Sequence, residues 1–108
     1  MLALLTILLT ALAATALEAQ SARVLGRVTD RVGRPLRDAA VVLEREDAEA
    51  PAVTTTSGAT GGYQFTDVPP GVYHVHTVRS GYREEDLRVR VREGLVLVPV
   101  MRLPARAR

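Results

Sequence analysis

The run Val68-Pro69-Pro70-Gly71-Val72-Tyr73-His74-Val75-His76-Thr77-Val78-Arg79 decides how the rest of the chain reads. Two consecutive prolines restrict φ and remove two backbone donors, so no regular element passes through them. Gly71 then tolerates the exit geometry that a side chain would resist. From Val72 to Arg79 the side chains alternate. Tyr73, Val75 and Thr77 fall on one face, His74 and His76 on the other. A period of two is that of a strand with one face to bury, and this face is expected to point inward.

The same period recurs on both sides. Upstream, Val24, Gly26 and Val28 alternate with Arg23, Leu25, Arg27 and Thr29, a first strand that ends at Asp30-Arg31-Val32-Gly33. Asp in the first and Gly in the fourth position suit a type I turn, and Pro35 keeps Arg34 extended. Ala39–Arg45 is a second strand, with Ala39, Val41 and Leu43 on its inner face. The acidic loop 46–51 follows, then the β-branched Val53-Thr54-Thr55-Thr56, a short half-exposed strand. Ser57–Gly62 reads as a flexible turn and Tyr63-Gln64-Phe65 as another alternating segment.

Downstream, Gly81 breaks the long strand. Leu87, Val89 and Val91 then form an inner face, with Arg88, Arg90 and Arg92 projecting outward. Glu93-Gly94 is a turn. Leu95–Leu103 is a last apolar strand that Pro99 marks as an edge or a bulge. Pro104–Arg108 carries no ordering signal. Seven short strands, with turns about every 8–12 residues, predict an all-β, antiparallel two-sheet sandwich, since each one-sided strand needs a partner layer.

Composition bounds what such a domain does. The chain has 108 residues and no cysteine, which excludes a disulfide scaffold, a thiolate zinc site, a cysteine nucleophile and the acceptor of a bacterial lipid anchor. Met1–Leu17 holds no charged side chain and passes from a Leu/Ile/Ala-rich run into Ala13-Ala14-Thr15-Ala16. That is the shape of a helical secretory signal over residues 1–22, with cleavage after Ala16, Ala19 or Ala22. No Lys or Arg precedes the apolar run, and it is shorter than the about 20 residues of a spanning helix. All basic residues are arginines beyond this leader. With Glu18 gone, 14 arginines face 11 acidic residues, a net of +3, too mild to imply nucleic-acid binding.

The ordered set Gly26, Val28, Asp30, Gly33, Pro35, Leu36, Ala39, Val41 and Leu43, then Gly62 and Phe65, then Val68-Pro69-Pro70-Gly71 with Tyr73, then Gly81-Tyr82, resembles the carboxypeptidase regulatory-like domain family. The resemblance spans about Val24 to Leu103, with a domain at 23–103 and a tail at 104–108. It implies a transthyretin-like sandwich, also grouped with carbohydrate-binding-like folds, that lacks catalytic residues and accompanies other domains. Similar domains stand at the amino terminus of TonB-dependent outer-membrane receptors and in bacterial surface proteins. Members often carry an acidic residue after the threonine run, where this chain has Ser57. Within this frame Gly26 is expected to admit a backbone or a bulky ring, and Tyr82 to close one end of the core.

Candidate chemistry is sparse. His74 and His76 share a face roughly 6.6 Å apart along the strand and are the one weak pair for a metal, with no third ligand identifiable. The hydroxyls of Ser57, Thr60 and Ser80 lie in or beside turns, with no recoverable Ser/His/acid arrangement. No enzyme activity and no cofactor are expected. Arg88, Arg90 and Arg92 form a cationic ladder able to meet carboxylates, phosphates or acidic glycans, or simply paired with Glu44 or Glu84-Glu85-Asp86. The Thr54–Thr56 strand suits strand addition better than the Pro99 strand. The expectation is an exported, non-catalytic interaction module in the periplasm, at the outer membrane or outside the cell. Its partner is an unidentified envelope protein or glycan, and membrane contact is confined to an uncleaved leader. The alternatives are an amino-terminal piece of a TonB-dependent receptor and a carbohydrate-binding domain, the latter disfavoured by four aromatics and no Trp.

Overall fold

The computed structural model describes residues 21–47 and 51–106, which form eight strands. They are β1 (Ala22–Asp30), β2 (Ala40–Arg45), β3 (Val53–Thr56), β4 (Gly62–Val68), β5 (Gly71–Val78), β6 (Glu85–Val91), β7 (Gly94–Leu97) and β8 (Met101–Leu103). The leader, with Ala16 and Ala19, lies outside the described residues. Ala22, the third candidate cleavage point, is the first residue of β1 and is buried.

Two sheets face each other. One runs β4-β1-β7, with β8 also on β1; the other runs β3-β2-β5-β6. The inward alternation holds: Val24, Val41, Leu43, Phe65, Tyr73 and Val75 are buried between the layers. Each aliphatic group removed from water contributes on the order of 1.5–3 kcal/mol, which is why the two one-sided sheets stack.

The layers are as expected, but strand number and direction differ in one place. The segment 95–103 is two strands, not one, so the count is eight rather than seven. Both β7 and β8 run parallel to β1, with Leu25 opposite Leu97 and Val28 opposite Met101. Three residues on β1 thus face four on the partner, a bulge centred on Pro99, which has no N–H to pair. Side-chain alternation carries no information about strand direction. Because β6 lies in the opposite layer, the chain re-enters the first sheet beside β1 in the same sense.

Local chemistry accounts for the turns. Asp30 accepts from the N–H of Val32 (3.0 Å) and Arg34 (2.8 Å), and Gly33 sits at φ 92°. The turn at 57–62 is stitched rather than flexible. Ser57 is buried, and its Oγ accepts from Ala39 N–H (2.9 Å) and donates to the Leu36 carbonyl (2.6 Å). Gly61, at φ 79°, lies against the Val28 carbonyl, where a Cβ would collide. At Gly26 the bulky neighbour is Tyr63, its register partner on β4, whose phenol occupies the space of a side chain. The tail is ordered further than composition indicates. Arg83 N–H donates to Pro104 and Arg106 N–H to Gly81, both at 2.9 Å, and Tyr82, half-buried against the core, bridges Ala105.

Candidate functional site

The outer face of the β2-β5-β6 sheet gathers most of the residues singled out from the sequence. Register places Glu44 opposite His74 and His74 opposite Arg88; Val42 lies opposite His76 and His76 opposite Asp86. Arg88, Arg90 and Arg92 are exposed as expected. Their pairing is not as expected. Arg88 reaches diagonally past His74 to Glu46, donating from Nε to Oε1 (2.8 Å) and from Nη2 to Oε2 (3.2 Å). Glu44 and the 84–86 carboxylates do not hold it. Glu46 wins because its N–H bonds the Val72 carbonyl (2.9 Å), which prolongs the β2–β5 pairing and fixes the carboxylate within reach.

The histidines are divided between carboxylates. His74 lies 3.3 Å from Glu46 through Nε2 and 3.6 Å from Asp86 through Nδ1, whereas His76 lies 3.2 Å from Glu84. The hydrogen bond from Arg88, with smaller contributions from His74, lowers the Glu46 carboxyl below its ordinary range. Among the described residues no group of three or more His, Asp or Glu side chains is placed to hold a metal ion. Among the described residues Arg88, His74 and His76 on this face are paired with carboxylates, whereas Glu44, Arg90 and Arg92 have no ion-pair partner.

A second feature was legible only as a free edge. β3 and β4 are edge strands of opposite sheets and flank an open seam. Between them lies a cavity of about 290 Å³ with Leu43, Phe65 and Tyr73 at its floor and Arg45, Gln64 and Asp67 at its rim. The Tyr73 hydroxyl donates to the Pro69 carbonyl (2.7 Å), so the two prolines and the following strand close one end. A shallower recess of about 440 Å³ continues along the seam past Gly26, Thr56 and Gly62. The opposite seam, between β6 and β8, is tied at one end by the Tyr82–Ala105 bridge and holds a smaller recess of about 170 Å³ beside Leu87 and Pro99. No sequence signal announced the groove, because it needs the two edges to be brought together.

Two facing four-stranded layers joined by short turns define a small transthyretin-like β-sandwich module. Residues 23–103 match the carboxypeptidase regulatory-like domain, and the chain belongs to that family. Among curated proteins no sequence matches. Solved structures share the fold at low identity. The pilus 2b backbone protein of group B streptococcus superposes with a TM-score of 0.62 at 16% identity, over 77% of this chain and 40% of its own. A candidate carbohydrate-binding protein of Bacteroides uniformis gives 0.62 at 16% identity, over 77% and 41%. Catechol 1,2-dioxygenase of Pseudomonas arvilla gives 0.65 at 12% identity, over 83% and 54%. The chain spans about half or less of each of these.

Proposed function

We propose that this domain is a non-catalytic, exported interaction module that receives a segment of a partner protein in the β3–β4 seam. The carrying observation is the open groove: an apolar floor of Leu43, Phe65 and Tyr73 beside an unpaired sheet edge of β-branched residues. An extended segment laid there would add backbone hydrogen bonds to the edge and place alternate side chains on the floor. Family membership supports the accessory character, and the pilus and carbohydrate-binding neighbours support a place at the cell envelope. A glycan finds less to stack on, since the chain has no Trp and only four aromatic residues.

Site-specific photocrosslinkers at Val53 and Gln64, in the exporting cell, test this reading. A discrete protein adduct from both positions, and none from Arg90 on the outer face, is the expected result. Adducts from Arg90 alone would move the contact to the charged face. Glycan-array binding that survives blocking of the groove would replace the protein partner with a sugar.

A further inference from the structure

The outer face of the other sheet carries an apolar cluster that the groove reading leaves unused. Leu95 and Leu97 are 62% and 71% exposed on β7, an edge strand. Parallel register sets Leu97 beside the half-buried Leu25 and Leu95 beside Arg23. The strands lie about 4.8 Å apart and Leu95 and Leu97 about 6.6 Å apart, so the three leucines form one contiguous patch. Arg23 and Arg27 share this face and are both exposed. Arg23 donates to the Gln64 amide oxygen (3.3 Å) and Arg27 to the Thr60 carbonyl (3.0 Å). Among the described residues neither arginine has an ion-pair partner within 4 Å; Asp67 borders Arg23 and Leu95 at the rim, and Arg27 is set further along the face.

We infer that this face docks on the surface of an anionic phospholipid bilayer. Three observations point to that occupant. Leucines set among arginines match a layer whose boundary is apolar below and anionic above, and arginines near such a surface add electrostatic attraction. The chain also enters the domain at this rim, since Gly94 N–H donates to the Ser21 carbonyl (3.1 Å). With the uncharged Met1–Leu17 retained, the apolar run would begin a few residues from the patch; with it cut, the new α-amino group would add a further positive charge there. A second copy fits less well. A two-fold contact through this face would bring the arginines of both copies, Arg23 and Arg27 of each, into one interface. The inference does not depend on the groove being filled, Gln64 being the residue where the two surfaces meet, and it extends membrane contact beyond the leader to the folded domain. No helix among the described residues is long and apolar enough to cross a membrane.

The chain has no cysteine, which allows a single environment-sensitive label. Full-length Leu97→Cys and Leu95→Cys, each carrying a nitrobenzoxadiazole label, are mixed with vesicles of phosphatidylglycerol and phosphatidylcholine, and Arg90→Cys serves as the opposite-face control. The label stays informative even if the leader tethers the chain, because it reports which face meets the lipid. A several-fold rise in emission with a blue shift at positions 97 and 95, none at 90, and loss of the response in Arg23→Glu/Arg27→Glu is expected. Unchanged emission at both leucine positions would overturn the inference. So would a blue shift without vesicles accompanied by a doubled mass in light scattering, which would assign the face to a second copy.

Discussion

Tyr63 and Ser57 show how single polar atoms set the quality of this core. Tyr63 is 5% exposed, packs edge-on against Phe65 with ring centroids 5.9 Å apart, and its hydroxyl is buried without a hydrogen-bond partner. An unsatisfied buried hydroxyl is destabilising, so Tyr63→Phe should raise stability by about 1 kcal/mol in urea unfolding. Burial pushes the phenol up to about 12. The folded state therefore holds this proton more tightly than the unfolded chain, whose phenol titrates near 10. That contribution is complete below pH 10 and is lost as pH rises from about 10 to about 12. Midpoints measured across that window should fall less steeply in Tyr63→Phe than in the wild type, although Tyr73, also raised by burial, retains part of the slope. Ser57 is the converse case, since one hydroxyl both accepts and donates. Ser57→Ala leaves the Ala39 N–H and the Leu36 carbonyl without that partner in a buried site, with an expected loss of about 2–3 kcal/mol by thermal or urea unfolding.

At the scale of elements, the weak points are strands that lack a partner on one side. β3 and β4 leave their seam open, whereas the entry to β6 is clasped by the segment after Leu103. Deleting 104–108 removes the acceptor of Arg83 N–H and the donor to Gly81. The truncated domain should be less stable by about 1–2 kcal/mol, the worth of two hydrogen bonds. Its Arg83 amide should exchange markedly faster by NMR or mass spectrometry, while amides in the centre of β5 remain protected. Equal exchange at Arg83 in both forms would show that the clasp contributes nothing. The tail was unreadable in sequence because its order comes from backbone groups, which every residue carries. Its composition of Pro, Ala and Arg gives no apolar pattern to detect.

For the whole molecule, closure depends on contacts between the two ends of the described chain. β1 pairs with β7 and β8 across some seventy residues of sequence, so the first sheet is complete only after the second has formed or formed with it. Such non-local pairing, with no disulfide to shorten the loop, places folding in the slow class of small domains, roughly milliseconds to seconds. The sandwich also divides the surface into three dissimilar regions: a charged face partly paired with itself, an open seam and a leucine–arginine face. Each is assembled from strands distant in sequence.

The alternation of side chains by itself determined which residues are inside, where the chain turns at Asp30-Gly33 and Pro69-Gly71, and that two layers must stack. These depend on local sterics and on the need of each apolar face for cover, which hold for any topology. Only the tertiary structure decided that 95–103 runs parallel to β1, that Arg88 is held by Glu46, that Ser57 and the tail are tied down, and that β3 and β4 frame a groove. Pairing partners and open edges are relations between strands. The energy that selects them comes from contacts separated by tens of residues, and no single segment carries that information.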